Sequence, residues 1–187
     1  KLLPAAEKFL SIANLLDPVK MPYPFETLDE AWQAKIYPDH GWGGHDGDVT
    51  DNLFKENLVK SRTMGQNLLD DGLDFIASRI KKNEQLGMPV VLFNSLSWKR
   101  TDPVTVTVNF PKGYTKAVKV ITADQKEVVA QSRNATYHND GSLKSAEINF
   151  IAENIPAIGY ATYYLTKADR ASETKTSNAD LSTYEND

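Results

Sequence analysis

Gly87-Met88-Pro89-Val90-Val91-Leu92-Phe93 divides the chain into two kinds of sequence. Before it, apolar residues recur at steps of three and four, the period of a one-sided helix. After it the step is two, the period of a strand with one wet face. The Gly-Met-Pro triplet is the hinge between them, because glycine and proline interrupt regular structure for opposite reasons.

Upstream, Leu3, Ala6, Phe9, Leu10, Ala13 and Leu16 place a helix over residues 2–16, stopped by Asp17-Pro18. Met21-Pro22-Tyr23-Pro24-Phe25 is extended or turning. Thr27 and Glu30 have capping-box spacing and predict a helix through Ala31, Trp32, Ala34 and Ile36 that ends before Pro38. Residues 38–47 hold four glycines. Asp48 or Thr50 then caps a long helix whose stripe runs Phe54, Leu58, Ser61, Gly65, Leu68, Leu69, Gly72, Phe75, Ile76 and Ile80. Its small members predict close packing on a neighbouring helix, and Lys81-Lys82 suit its negative C-terminus.

Downstream, Val90 to Phe93 predict a buried strand, and Val104, Val106 and Val108 alternate with Thr105, Thr107 and Asn109. Residues 117–122, 128–131, 148–152 and 160–165 read the same way. Turn signals separate them: Pro111-Lys112-Gly113, Ala123-Asp124-Gln125, Asn139-Asp140-Gly141 and Pro156-Ala157-Ile158-Gly159. The fold class expected is multi-domain α+β, a three-helix bundle followed by an antiparallel β-sandwich. The domains expected are a helical bundle over 1–86, a sandwich module over 88–167 and a polar tail or linker over 168–187.

The 187 residues are 41% hydrophobic and 25% charged, enough for a core and too apolar for wholesale disorder. The net charge is −4 and the 21 Lys and Arg are scattered, which argues against nucleic acid as a partner. No apolar run approaches the 18 or so residues of a membrane span, so no membrane partner is expected. With no cysteine, disulfides and cysteine-based zinc sites are excluded. With three histidines and no cysteine, a closed four-ligand metal site would need Asp, Glu or another chain. Lys1-Leu2-Leu3-Pro4 reads as a cut end and predicts a piece of a larger protein.

The chemistry concentrates in Pro38-Asp39-His40-Gly41-Trp42-Gly43-Gly44-His45-Asp46-Gly47-Asp48. His and Asp suit a borderline cation such as zinc, and an indole can stack on the apolar face of a sugar. A solvated loop ahead of a helix has the same composition, and both readings stand on the residues alone. Elsewhere, Asp70, Asp71 and Asp74 read as solvated helix residues and His138 as a surface turn residue. Trp98 and Tyr160 read as core or sheet-edge aromatics, and Arg100 as a solvated strand end. Asn134-Ala135-Thr136 fits a glycosylation sequon that matters only in a eukaryotic secretory setting.

Two blocks, in order, resemble glycoside hydrolase family 38, the retaining zinc-dependent alpha-mannosidases. The first runs from Trp32-Gln33-Ala34-Lys35-Ile36-Tyr37 through Pro38-Asp39-His40-Gly41-Trp42-Gly43-Gly44 into the long helix. The second is Pro89-Val90-Val91-Leu92-Phe93-Asn94-Ser95-Leu96-Ser97-Trp98-Lys99-Arg100. Ile155-Pro156-Ala157-Ile158-Gly159-Tyr160 is similar to a later strand of that family's β domain. The resemblance, over roughly residues 1–167, implies a helical middle domain and the first C-terminal β module. It implies a zinc ion at an N-terminal barrel outside this sequence. That barrel would carry the nucleophile and acid/base, so no catalytic residue is expected here.

It further implies His40 as the zinc ligand, with His45 the alternative, and a sugar-binding carboxylate beside it, for which Asp39 or Asp46 would stand unless the substrate differs; Trp42 reads from its residue type as a sugar platform or as a loop anchor. The family pattern has Asp directly after this histidine, and here Gly41 stands there; the His45-Asp46 alignment restores the dipeptide at the cost of an insertion. Alpha-mannoside-containing glycans and the absent barrel are the partners implied. The alternative is a non-catalytic carbohydrate-binding or interaction module.

Overall fold

The computed structural model describes residues 1–36 and 47–170. These form three α-helices and two antiparallel sheets, an α+β fold. The chain divides into a helical unit of residues 1–81, 93–98 and 157–159 and a β unit that holds the remainder.

In the helical unit α1 spans Leu2–Leu16, α2 Phe25–Lys35 and α3 Asp48–Arg79. α1 begins and ends where its periodicity and Asp17-Pro18 predict. Two cap assignments need correction. α2 starts two residues ahead of Thr27, with Pro24 at its N-cap and no side-chain cap hydrogen bond. α3 is preceded by Gly47 rather than capped by Asp48 or Thr50, again without a side-chain cap. Asp48 and Asp51 lie in its first turn, where the helix dipole favours them. The basic residue of its last turn is Arg79, since Lys81 and Lys82 fall beyond the helix.

α1 and α3 run parallel in constant register. Leu3 meets Gly65, Leu10 meets Gly72, and Arg79 Nη2 donates to Asp17 Oδ2 at 2.8 Å. The buried positions of α3 are Ser61, Gly65, Leu68, Gly72 and Ile76, one stripe as its spacing requires. A Cβ on Gly72 would lie 3.3 Å from the backbone nitrogen of Leu10, so this glycine marks a backbone-to-helix approach. At Gly65 the nearest atom is instead the end of the Leu3 side chain. α2 closes the unit by inserting Leu28 among Ala6, Leu10 and Leu68. A second cluster holds Phe9, Ala13 and Ile76, with the Phe93 ring edge-on to Phe9 at 5.4 Å.

Among the described residues the β unit has seven strands: β1 Met88–Asn94, β2 Arg100–Asn109, β3 Ala117–Thr122, β4 Glu127–Val128, β5 Ala130–Tyr137, β6 Leu143–Ile155 and β7 Gly159–Ala168. One sheet has the order β1-β7-β3-β4, the other β2-β6-β5. Val108, Ile148, Phe150 and Ala152 from one sheet share a core with Val118, Val120, Tyr163 and Leu165 from the other. That shared core makes the pair a sandwich.

The alternation of Val104, Val106 and Val108 matches the inner face of β2. Val90 to Phe93 do form a strand, but one at a sheet edge and half-buried, because an edge is covered on fewer sides. The strand expected over 128–131 is split: Val128 ends β4 of one sheet, and Ala130 and Gln131 begin β5 of the other, which runs on to Tyr137. Its residues from Gln131 on are exposed and mostly polar, and a register shift between Arg133 and Thr136 breaks any alternation. β7 runs to Ala168, which pairs with Ala117. Residues 171–187, where most of the expected polar tail falls, lie outside the described residues.

Gly87 precedes β1 at φ 111°, and a Cβ there would collide with the carbonyl oxygen of Leu165. The position needs glycine for both its dihedral and its space. Gly87→Ala is therefore expected to lower the unfolding free energy by at least about 1–3 kcal/mol, the range for a strained backbone position. In the helical unit Gly72→Val is expected to cost about 1–3 kcal/mol through overpacking against the α1 backbone. Urea titration followed by circular dichroism checks both, and an unchanged midpoint for Gly72→Val contradicts the α1–α3 register.

Candidate functional site

The segment singled out for chemistry joins α2 to α3. His40, His45, Asp39, Trp42 and Asp46 fall within 37–46 and so lie outside the described residues. What the structure does define is the two ends that carry the segment. Ile36 closes α2 by donating its backbone N–H to the Trp32 carbonyl at 2.9 Å. Gly47, buried, opens α3 by accepting from the Asp51 N–H at 2.9 Å.

Side chains of the helical unit tie the two flanking helices to their neighbours. Trp32 Nε1 donates to Glu7 Oε1 of α1 at 2.9 Å, and Lys60 Nζ of α3 lies 2.7 Å from Glu30 Oε1 of α2. Trp32, the landmark of the first family-like block, is thus a tie between α2 and α1. Sequence spacing alone carries no sign of that role.

The remaining candidates are structural. His138 follows β5, with Nε2 3.0 Å from the Phe110 carbonyl oxygen, to which it donates. Its backbone N–H donates to the Ser142 carbonyl. Asp70 is exposed and accepts from Gln66 Nε2, one helical turn away; Asp71 and Asp74 are exposed as well. Arg100 pairs with Asp102 at 2.6 Å. Trp98 is no core residue: it is 60% exposed, while its carbonyl accepts from the buried Asn94 side chain. Tyr160 is also largely exposed. Asn134 of the sequon is exposed at φ 50° and donates to Glu147 Oε2 at 2.9 Å.

Among the described residues, the carboxyl groups of Asp17, Asp124 and Asp140 are pulled below the ordinary range. The backbone N–H of Lys20 and the Arg79 guanidinium lower Asp17. The Ser142 hydroxyl and backbone N–H lower Asp140. Asp124 is lowered to about 2 by the Lys126 ammonium at 2.8 Å and the Thr122 hydroxyl at 2.6 Å. In return Asp124 raises Lys126. Each of these groups organises a turn or a helix end. Among the described residues no three His, Asp or Glu side chains stand close enough together to hold a metal ion. No described helix is long and apolar enough to cross a membrane.

No protein-family model matches the chain, and no curated protein matches it. Solved structures do. An alpha-mannosidase from Enterococcus faecalis V583 superposes with a TM-score of 0.65 at 18% identity, covering 93% of this chain and 23% of its own. A glycosyl hydrolase family 38 protein from Enterococcus faecalis superposes with a TM-score of 0.67 at 17% identity, covering 90% of this chain and 23% of its own. The chain therefore has the fold of one part of these proteins and spans about a quarter of their length. At this identity it is the fold that is shared.

Because Asp124 has a lowered pKa in the folded state, its contribution to stability is full above its ordinary value of 3.8. It is lost as pH falls through about 2. Acid unfolding of the β unit, followed by tyrosine emission, is expected to lose part of its pH dependence between about 4 and 2 in Asp124→Asn. An identical acid profile contradicts the assignment.

Proposed function

We propose that this chain is a piece of a retaining alpha-mannosidase-like glycoside hydrolase of family 38: its helical middle domain and first C-terminal β module. The observation that carries this reading is the superposition of nearly the whole chain on one part of an alpha-mannosidase. The order of the Trp32–Gly44 and Pro89–Arg100 blocks in the sequence supports it independently.

In this reading the segment between α2 and α3 contributes one zinc ligand, His40, with His45 as the alternative. Asp39, Trp42 and Asp46 contribute to the sugar subsite. The donor set suits the ion, since neutral imidazole and carboxylate are both first-rate zinc ligands. When bound, zinc supplies charge stabilisation and a hold on sugar hydroxyls. What the chain itself supplies is an imidazole on a glycine-rich segment whose two ends are fixed by helices. Alpha-mannoside glycans are the proposed substrates, and an N-terminal barrel is the proposed partner within the same polypeptide.

A retaining glycosidase works with two carboxyl groups about 5 Å apart, one nucleophilic and one acting as acid and base. Asp70, Asp71 and Asp74 are exposed along a single helix and offer no cleft for such a pair. The nucleophile and the acid/base are accordingly assigned to the barrel, and the 187-residue chain alone is expected to be inactive.

The test uses the full-length polypeptide. His40→Ala is expected to lose bound zinc, read by metal analysis, and at least about 100-fold in hydrolysis of an aryl alpha-mannoside, more than an outer-shell partner usually costs. His45→Ala is expected to retain both. The opposite result moves the ligand to His45, and full zinc with full activity in both variants removes this segment from the metal site. Hydrolysis by the isolated 187-residue chain contradicts the division of labour.

A further inference from the structure

The sheet β2-β6-β5 is incomplete along one flank of β6. β2 follows β6 as far as Ile155, but β5 joins it only at the pair Ala130–Phe150. Among the described residues, β6 from Ile151 onward therefore has β2 on one flank and no β5 residue on the other. Val129 makes the passage between the sheets, because Val128 ends β4 in one and Ala130 opens β5 in the other. A cavity of about 650 Å³ opens in this gap, within the size range of small-molecule sites. Val104, Val128, Phe150 and Tyr163 form its apolar interior, with the two rings 5.1 Å apart. Val129 and Ile151, 71% and 48% exposed, bring the apolar lining out to solvent.

The polar groups of the lining are only partly used. Tyr163 is 4% exposed, and its hydroxyl oxygen accepts from the Glu153 N–H at 3.0 Å. Among the described residues no acceptor takes the hydroxyl proton. Asn149 accepts from the Thr105 hydroxyl through its amide oxygen, and Gln131 accepts from Arg133 in the same way, so both NH2 groups remain to be used. Lys126 is engaged by Asp124 and Glu127 by Lys119, whereas Glu153 forms no ion pair among the described residues. The cavity thus offers phenol and amide donors beside one carboxylate acceptor, over an apolar floor.

We propose that this cavity binds a pyranose ring of a neutral glycan, at a site separate from the His-bearing segment. Adjacent sugar hydroxyls accept the phenol and amide protons and give their own to Glu153, while the C–H face of the ring lies on valine and isoleucine. An anion meets the Glu153 carboxylate with no uncommitted cation to hold it. A purely apolar ligand strands the buried phenol donor, and a cationic amine presents donors to donors. The choice of a sugar among neutral polyols rests on the reading above, in which glycans are the substrates. The cavity holds its ligand without cleaving it. Glu127 is tied to Lys119 and Glu153 is exposed, so neither has the burial that a carboxylic acid catalyst needs.

The test titrates the 187-residue chain, carbon-13-labelled at valine and isoleucine methyl groups, with methyl alpha-mannopyranoside. Saturable shifts are expected at Val104, Val128, Val129 and Ile151, and none at Ile12 or Ile76 of the helical unit. Tyr163→Phe and Glu153→Gln, which keep the shape of the side chain, are each expected to weaken binding at least about three-fold with an unchanged circular dichroism spectrum. If Tyr163→Phe fails to fold, the exposed position of Glu153→Gln carries the comparison alone. Shifts that do not saturate, or full affinity in Glu153→Gln, overturn the proposal. So does equal binding of cyclohexanol, or tighter binding of butylamine or inorganic phosphate.

Zinc content and aryl alpha-mannoside hydrolysis are measured on the full-length polypeptide in parallel. Pyranoside binding at these methyl groups, with neither zinc nor hydrolysis in the full-length polypeptide, keeps this site and removes the mannosidase reading. An active zinc enzyme whose valine and isoleucine methyl groups here stay unshifted does the reverse.

Discussion

The close approach of α1 to α3 organises the helical unit, and it depends on two residues with no side chain. Glycine inside a helix costs about 1 kcal/mol relative to alanine. Here Gly65 and Gly72 admit Leu3 and Leu10 against the α3 backbone, and burial of a leucine side chain contributes about 1.5–3 kcal/mol. The exchange favours packing and also sets the register. With Leu10 lodged at Gly72, the gap that Leu28 of α2 fills, beside Ala6 and Leu68, is defined. α2 then delivers Ile36, and α3 receives the chain again at Gly47. The two ends of the His-bearing segment are therefore positioned by a contact far from it in sequence.

How much of this the sequence reveals depends on where side chains meet one another rather than on how many residues are apolar. α1 is legible to its last residue because a helical period is followed by Asp-Pro, a combination with one outcome. The start of α2 is not, because Thr27 and Glu30 imitate a capping box while Pro24, suited to a helix start by its fixed φ, opens the helix earlier. The stripe of α3 is visible, including its glycines. What cannot be seen is that α1 covers only part of it. In the β unit, strands facing the core announce themselves by alternation. The outer half of β5 does not, because an exposed edge strand with a register shift carries no apolar signal. Trp98 misleads for a related reason: large aromatic residues are usually covered, and this one closes a turn through its carbonyl while its ring faces outward.

The candidate site is legible in a different way. Imidazoles, carboxylates and an indole within one glycine-rich stretch are recognisable by their donor chemistry, without any periodicity. That kind of signal says which atoms are available and nothing about what they face. His138 shows the limit. It shares the residue type of the two loop histidines and sits beside Asn139-Asp140-Gly141, yet its ring nitrogen is engaged by the Phe110 carbonyl and its backbone by Ser142. A histidine committed to a main-chain acceptor beside its own turn serves packing of that turn. The proposal for His40 needs the contrary situation, in which the partners of the ring lie on another domain.

The carboxylates bear on the same question from the side of proton chemistry. Acid/base catalysis in a glycosidase requires one carboxyl group kept protonated near neutrality, which takes burial in apolar surroundings or a second negative charge close by. Asp17, Asp124 and Asp140 are displaced in the opposite direction, each by hydrogen bonds from N–H, O–H or a cation that favour the ionised form. Those donors tie the three groups into a helix end and two turns, so their ionisation serves to hold local structure. A general acid needs the reverse environment, and a dry, carboxylate-lined cleft calls for walls from more than one element. Among the described residues, the acidic side chains of the helical unit either face solvent or, as Glu7 and Asp17 do, tie one part of the unit to another, and the interior of the sandwich is filled by valine, isoleucine, phenylalanine and tyrosine, so neither provides such a wall. In the enzyme proposed above, the proton chemistry would belong to the barrel, and α2 and α3 would carry the two ends of the segment proposed to bear the ligand.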